Sequence, residues 1–200
     1  MSMEQRSNVK SFPMTLPWEY VTSIAVMVIF ALPLSGTAAG RQTSKPASES
    51  AAFLMQVAGV YKTQFKNGDV NGDKYPSEDV LEVVPIDDHA AYVRMDLEFF
   101  NGHSGRIFGI ATYGRNSLIY DNGEQGDERC VVEYVWSSDK VMTRADYDKT
   151  PGCREYHGAR GSLDRAEFLV KKKQTIRYMD RLKNSREFKE AMSKYRNARQ

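Results

Sequence analysis

The stretch Ala91-Tyr92-Val93-Arg94-Met95-Asp96-Leu97-Glu98-Phe99, followed by Phe100-Asn101-Gly102-His103-Ser104-Gly105 and then Arg106-Ile107-Phe108-Gly109-Ile110-Ala111-Thr112-Tyr113, decides the fold of this chain. Ala91, Val93, Met95, Leu97 and Phe99 alternate with Tyr92, Arg94, Asp96 and Glu98. That period of two puts one face of a strand on a core and the other toward water. Asn101-Gly102 tolerates the positive φ angles of a tight hairpin turn, so the chain is expected to reverse there or within the next few residues through His103-Ser104-Gly105. A second turn at Gly114-Arg115-Asn116 launches Ser117-Leu118-Ile119-Tyr120, which makes three antiparallel strands from local signals alone.

Outward from this hairpin the same pattern repeats. Gly59 to Phe65 and Val80 to Ile86 precede it, and Pro85 suits a strand end because it cannot donate to a central ladder. Arg129 to Trp136, Lys140 to Asp146 and Gly161 to Val170 follow it. About eight short strands at hairpin spacing predict a mainly β fold, a small antiparallel barrel or, as the alternative, a sandwich, with no strand-helix-strand unit. Ala51 to Ala58 reads as a short helix lying across one end.

The last thirty residues change period. Ile176, Met179 and Leu182 lie three apart, and Phe188, Ala191, Met192 and Tyr195 follow helical spacing. Two helical pieces are expected, the second capped by Asn184 with Glu187 as its capping-box partner. This C-terminal helix is amphipathic and basic. From Lys171 onward eleven basic residues face three acidic ones, a net +8, whereas the whole chain carries +2, so the remainder carries −6. Such segregation either docks the helix on an acidic barrel or presents cations to a polyanion, and Lys171, Lys172, Lys173, Arg177 and Arg181 are the candidates for contact with an anionic membrane surface. No nucleic-acid motif accompanies them, so nucleic acid is not an expected partner.

The N-terminus reads as an address. Arg6 and Lys10 precede an apolar run from Val21 to Leu34, of the length of a secretory core and short of the ~20 residues that span a bilayer. Thr37-Ala38-Ala39 offers the small residues of a cleavage site, so residues 1–39 are expected to be a signal peptide, with a membrane-anchored protein as the alternative if it is not cleaved. The expected destination is periplasmic or secreted. Residues 40–50 read as a flexible leader, residues 51–170 as the barrel and residues 171–200 as the helical segment packed on it. In an oxidising compartment Cys130 and Cys153 can pair, the alternative being two buried thiols.

Catalytic and metal signals stay below the level of a motif. Asn67-Gly68-Asp69-Val70-Asn71-Gly72-Asp73, with Glu78 beyond it, sets oxygen ligands at calcium-loop spacing. Asn67 stands where aspartate is wanted and Lys74 where an apolar residue is wanted, so a polar hairpin loop explains the same letters. His89, His103 and His157 each sit beside a turn signal. Ser104 beside His103 lacks a nucleophile elbow, and the acidic loop Asp121 to Glu128 reads as solvated. No cofactor motif is present and no enzymatic activity is expected.

Gly59-Val60-Tyr61 resembles the Gly-x-Trp start of a lipocalin-type barrel, with Tyr61 in the tryptophan position. From Gly102-His103-Ser104 through Cys130 to Cys153-Arg154-Glu155-Tyr156-His157-Gly158-Ala159-Arg160-Gly161 the chain resembles small exported bacterial proteins of uncharacterised function, some grouped with lysozyme inhibitors. The resemblance implies one further cysteine near Gly105 and another near His157, both missing here, as if a whole disulfide had been lost.

These readings converge on an exported, non-enzymatic β-barrel binding protein. If the interior is open, Val93, Met95, Leu97, Phe108 and Ile110 would line a cavity for a small apolar ligand. If it is filled, a protein partner is the alternative, such as a cell-wall hydrolase blocked through Asn101 to Gly105 or Asp121 to Glu128.

Overall fold

The computed structural model describes residues 48–200. The expected signal peptide and most of the leader lie outside the described residues. The described part opens with helix α1 (Glu49–Val57), so Glu49 and Ser50 belong to a helix and not to a flexible leader. Ser48 caps it, its hydroxyl accepting from the Ala51 amide at 3.2 Å, a local bond that composition alone does not reveal.

Eight antiparallel strands follow in an unbroken up-and-down order: β1 (Gly59–Gly68), β2 (Lys74–Pro85), β3 (Ala90–Glu98), β4 (Ser104–Tyr113), β5 (Ser117–Asp121), β6 (Val131–Trp136), β7 (Lys140–Arg144) and β8 (Glu167–Leu169). The central hairpin pairs as expected, Val93 opposite Gly109 and Met95 opposite Ile107. Its turn places Asn101 at φ 61° and Gly102 at φ 71°, the two left-handed positions that this dipeptide fills at little cost. β1 and β2 run longer than their apolar cores suggested, because the polar residues of 66–76 continue the ladder to Gly68 opposite Lys74. Gly161 to Val170 is a strand only at its end. Its earlier part closes the barrel floor, where the fully buried Leu163 gives its carbonyl to Thr143 Oγ1 at 2.6 Å.

The eight-stranded sheet curls until its edges nearly meet. Thr63 of β1 donates to the Glu167 carbonyl of β8 at 3.3 Å, and Val60 exchanges main-chain bonds of 2.9 and 2.8 Å with Gln174 just beyond β8. The inward positions hold Tyr61, Leu81, Met95, Ile107, Leu118, Tyr134 and Phe168, each buried to 1% exposure or less. Leu54 and Val57 of α1 cover one end, where Tyr61 donates to the Val57 carbonyl at 2.8 Å and Trp136 Nε1 donates to the Tyr61 hydroxyl at 3.1 Å. Burial pushes the Tyr61 phenol up to about 12, the Trp136 donor opposing the shift only in part.

A second apolar layer lies outside the barrel. Helices α2 (Met179–Lys183) and α3 (Arg186–Asn197) set Leu182, Phe188 and Ala191, together with Ile176 just before α2, against Val60, Val84 and Tyr92 on the outer sheet face. Phe188 stacks on Tyr92 with ring centroids 4.9 Å apart. The cap of α3 is Ser185, whose hydroxyl accepts from the Phe188 amide at 3.1 Å, one residue later than expected. Asn184 instead ends α2, its side-chain amide donating to the Asp180 carbonyl. A two-helix break needs a residue that can close one helix as well as one that can open the next, and the two neighbours divide these roles.

Candidate functional site

The five residues expected to line one cavity do not share a face. Val93, Met95 and Leu97 point inward and are buried among the side chains of the barrel core. Phe108 and Ile110 point outward and pack with the layer beneath the C-terminal helices. The register explains the difference, because Phe108 stands opposite Arg94 and Ile110 opposite Tyr92, the outward residues of β3. The inward residues of β4 are Ile107, Gly109 and Ala111, and the Tyr120 ring occupies the space at Gly109, where an added Cβ would lie 2.3 Å from it.

Phe108 and Ile110 instead edge a groove. β4 and β5 pair only from Ala111 with Tyr120 to Tyr113 with Leu118. The Tyr113 amide bonds toward the β3 side, to the His89 carbonyl, so by alternation Ile110 and Phe108 turn their main-chain groups toward the side that β5 leaves unpaired. The gap opens a groove of about 220 Å³ between β4 and α3, with Asp121 and Asn122 on one wall and Lys194 and Tyr195 on the other.

Cys130 and Cys153 form a disulfide, with sulfurs 2.04 Å apart. It ties the start of β6 to a tight helical turn, Pro151–Tyr156, beneath the acidic loop. Gly152 enters this junction without room for a side chain, since a Cβ there would stand 2.2 Å from the Glu128 carbonyl oxygen. The two positions where the resemblance implied missing cysteines lie together: Gly105 and His157 are partners in an isolated antiparallel bridge. A Cβ on Gly105 would be 3.2 Å from that of His157.

The calcium-like loop is closed on itself. Asp69 Oδ1 accepts from the amides of Asn71 and Asp73 at 2.9 and 3.0 Å, and Asn67 is a buried β1 residue that donates to the Phe99 carbonyl. Among the described residues no group of three or more His, Cys, Asp or Glu side chains is arranged to hold a metal ion. The three histidines serve separate places. His89 meets Ser50 Oγ at 2.9 Å, and His157 Nδ1 lies 2.8 Å from the Gly158 carbonyl. A Cβ on Gly158 would lie 3.0 Å from His103 Nδ1. The Gly158 carbonyl accepts from the His157 Nδ1 hydrogen, and Nε2 is buried with no hydrogen-bond partner among the described residues. The loop from Phe99 to His103 is held firmly: the Phe99 amide donates to the His103 carbonyl at 2.7 Å and the Gly102 amide to the Tyr75 hydroxyl at 2.8 Å.

The candidate cations Lys171, Lys172, Lys173, Arg177 and Arg181 are exposed along the segment between β8 and α2 and on α2 itself. Lys173 Nζ donates to the Gln56 carbonyl at the end of α1, and the Arg181 guanidinium lies 5.1 Å from the Tyr178 ring centroid. Beside Gln56 stands Met55, 72% exposed and the most open of the large apolar side chains described.

One polar cluster had no signal in the sequence. Glu82 is fully buried on the outer face of β2, where its Oε1 accepts from Arg94 Nη2 at 2.8 Å and from the Tyr178 hydroxyl. Burial and this carboxylate both raise the Tyr178 phenol above its ordinary value. In the sequence Glu82 alternates as a solvent-facing residue would, and only the arrival of the C-terminal segment buries it.

No family model, curated protein or solved structure matches this chain.

Proposed function

We propose that this chain is an exported, non-enzymatic binding protein whose partner meets the outside of a filled barrel. The observation that carries the reading is the interior itself. Tyr61, Met95, Ile107, Tyr134 and Phe168 converge there with exposures at or near zero, so the volume that a carrier would offer to a small apolar ligand is occupied by the chain's own side chains. The Cys130–Cys153 bond supports an oxidising compartment and so agrees with the export signal read in residues 1–39. Native mass spectrometry of the protein from the periplasm of an expression host tests this. The expected result is the bare polypeptide mass less two hydrogens. A small molecule that stays bound and leaves on denaturation would overturn it.

Inhibition of a cell-wall hydrolase is a second reading, favoured by the firm tether of the Phe99 to His103 turn and the left-handed Asn101 at its tip. A blocking loop must keep its shape before it meets an enzyme cleft, because ordering it on binding would cost affinity. Lysis of cell walls by lysozyme, with and without the protein, tests this reading, and unaltered lysis would sink it.

A further inference from the structure

We infer that Lys171, Lys172, Arg177 and Arg181, together with Met55, form a docking surface for anionic phospholipid headgroups. The inference rests on the filled-barrel reading and names the partner of its outer surface. Residues 48–170 contain thirteen basic and twenty-one acidic residues, while residues 171–200 contain eleven and three. The folded unit is thus electrically balanced but strongly polarised, and a polarised body turns its cationic side to a negatively charged plane.

The C-terminal segment had carboxylates of the barrel within its reach and leaves most of its cations unpaired with them. Among the described residues, only Arg199 of that segment forms an ion pair with a barrel carboxylate, Asp87 at 2.7 Å, and Lys194 pairs with Glu190 of its own helix. Lys171, Lys172, Arg177 and Arg181 have no carboxylate partner within ion-pair distance among the described residues. The segment's attachment uses other groups: Phe188 on Tyr92, Tyr178 on Glu82 and Tyr195 on Asp87. The helices are therefore held by their apolar and phenolic side, and the cations are left facing water.

Met55 gives the surface its lipid character. The bond from Lys173 Nζ to the Gln56 carbonyl brings that end of the basic run against α1, one residue along from Met55, an unbranched apolar side chain that the described residues leave open. A bilayer satisfies both features at once, with diffuse phosphate charge for the flexible lysines and arginines and an acyl boundary for one apolar tip. A nucleic acid would satisfy only the first.

The test is co-sedimentation of the mature polypeptide, residues 40–200, purified from the periplasm of an expression host, with phosphatidylcholine vesicles holding about 30% phosphatidylglycerol or none. Binding is expected to the anionic vesicles alone, and roughly 0.5 M salt should release it by screening. Each cation near the surface contributes about fivefold, so Lys171→Gln with Lys172→Gln and Arg181→Gln should weaken binding by roughly a hundredfold. Met55→Ser should weaken it by about tenfold. Lys74→Gln, at the opposite end of the barrel, should change nothing, and near-ultraviolet circular dichroism checks that every variant is folded. Equal sedimentation with neutral vesicles, or a triple variant that binds like the parent, overturns the inference. Complete release by soluble inositol hexakisphosphate at matched phosphate assigns the surface to a free polyanion and overturns the lipid. A retained ligand in the native mass spectrum would remove the filled barrel without touching these results, so the two failures are distinguishable.

Discussion

Tyr178 donates its phenolic hydrogen to Glu82 across ninety-six residues of chain, and this bond joins the C-terminal segment to the outer wall of the barrel at a carboxylate with no exposed surface. Arg94 Nη2 is the other donor to the same oxygen, at 2.8 Å, while Glu82 Oε2 has no hydrogen-bond partner among the described residues. A buried carboxylate that loses a donor bears the full cost of its desolvation. Tyr178→Phe should therefore lower stability by about 2 kcal/mol, as expected for a hydrogen bond to a charged group. Glu82→Ala should cost about 3 kcal/mol, since it also leaves the half-buried Arg94 with only its longer contact to Asp96, at 3.6 Å. Urea unfolding of both variants measures this. A Tyr178→Phe variant as stable as the parent would mean that the phenol is not what holds the carboxylate.

The disulfide closes a loop with a sequence separation of 23. In the chain-entropy model that constraint contributes about 3 kcal/mol by narrowing the unfolded ensemble. Replacing both Cys130 and Cys153 by Ala should lower the melting temperature by roughly 10 °C for a domain of this size. Melting the parent with and without reductant gives the same comparison. Coincident curves would show that the junction holds without its covalent tie.

Gly105 and His157 offer a place for a second tie. The 3.2 Å between a Cβ built on Gly105 and that of His157 is a few tenths short of the usual disulfide range, a gap that a small shift of the His157 loop can supply. The new loop would be longer than the existing one and worth about 4 kcal/mol before strain. Gly105→Cys with His157→Cys should oxidise spontaneously and melt higher than its reduced form. Thiol titration that still finds two free cysteines would show that the two strands do not meet as described.

Much of this architecture was legible in the letters, and the places where it was not have a common cause. Alternation from Ala91 to Phe99 and the Asn101-Gly102 turn are local signals, and the hairpin follows them, with its ladder ending at Glu98 opposite Ser104. Phe108 and Ile110 were misassigned to the interior because β4 is apolar on both faces, and a strand covered on both sides carries no alternation to read. The identity of the inner face is set by register against β3, which lies outside the strand's own sequence. Glu82 drew no reading from the sequence, because its phenolic partner, Tyr178, lies far along the chain. The cap of α3 slipped by one residue because Asn184 and Ser185 are both good caps and only the break between two helices assigns them. For the candidate site, composition located the cations at Lys171 to Arg181, but the neighbouring Met55 came into view only when the chain was folded.

Gly152 sits where two main-chain segments nearly touch. Its added Cβ would meet the Glu128 carbonyl oxygen at 2.2 Å and the Arg129 nitrogen at 2.9 Å, both backbone atoms that cannot swing aside as a side-chain tip would. Gly152→Ala should cost about 3 kcal/mol, at the upper end of overpacking penalties. Gly123→Ala is the comparison, since it meets nothing within 4 Å and carries only the strain of φ 81°. Chemical denaturation should place the Gly152 variant well below the Gly123 variant. The reverse order would mean that the loop yields more easily than its backbone contacts imply.

Asp87 controls the far end of α3 and gives its docking a pH dependence. Its carboxylate accepts from the Tyr195 hydroxyl and from Arg199 Nη1, both at 2.7 Å, and from the His89 amide at 2.9 Å. Partial burial pushes its pKa up, but the His89 amide, the Tyr195 hydroxyl and the Arg199 guanidinium together outweigh it, and the net shift is downward. A carboxyl group whose folded pKa lies below its unfolded value contributes stability that is complete above the unfolded value and is lost as pH falls through the folded one. The last turn of α3 should therefore stay docked at neutral pH and loosen below about pH 4, where protonated Asp87 no longer holds Arg199. Asp87→Asn should reproduce the acid behaviour at neutral pH, with amide exchange from Tyr195 to Arg199 faster by about threefold, a modest change because the pair is open to solvent. Exchange followed by nuclear magnetic resonance across this pH range checks both statements. Protection of α3 that is flat from pH 7 to pH 3, in the parent and in the variant alike, would show that Phe188 and Ala191 hold the helix without help from its charged end.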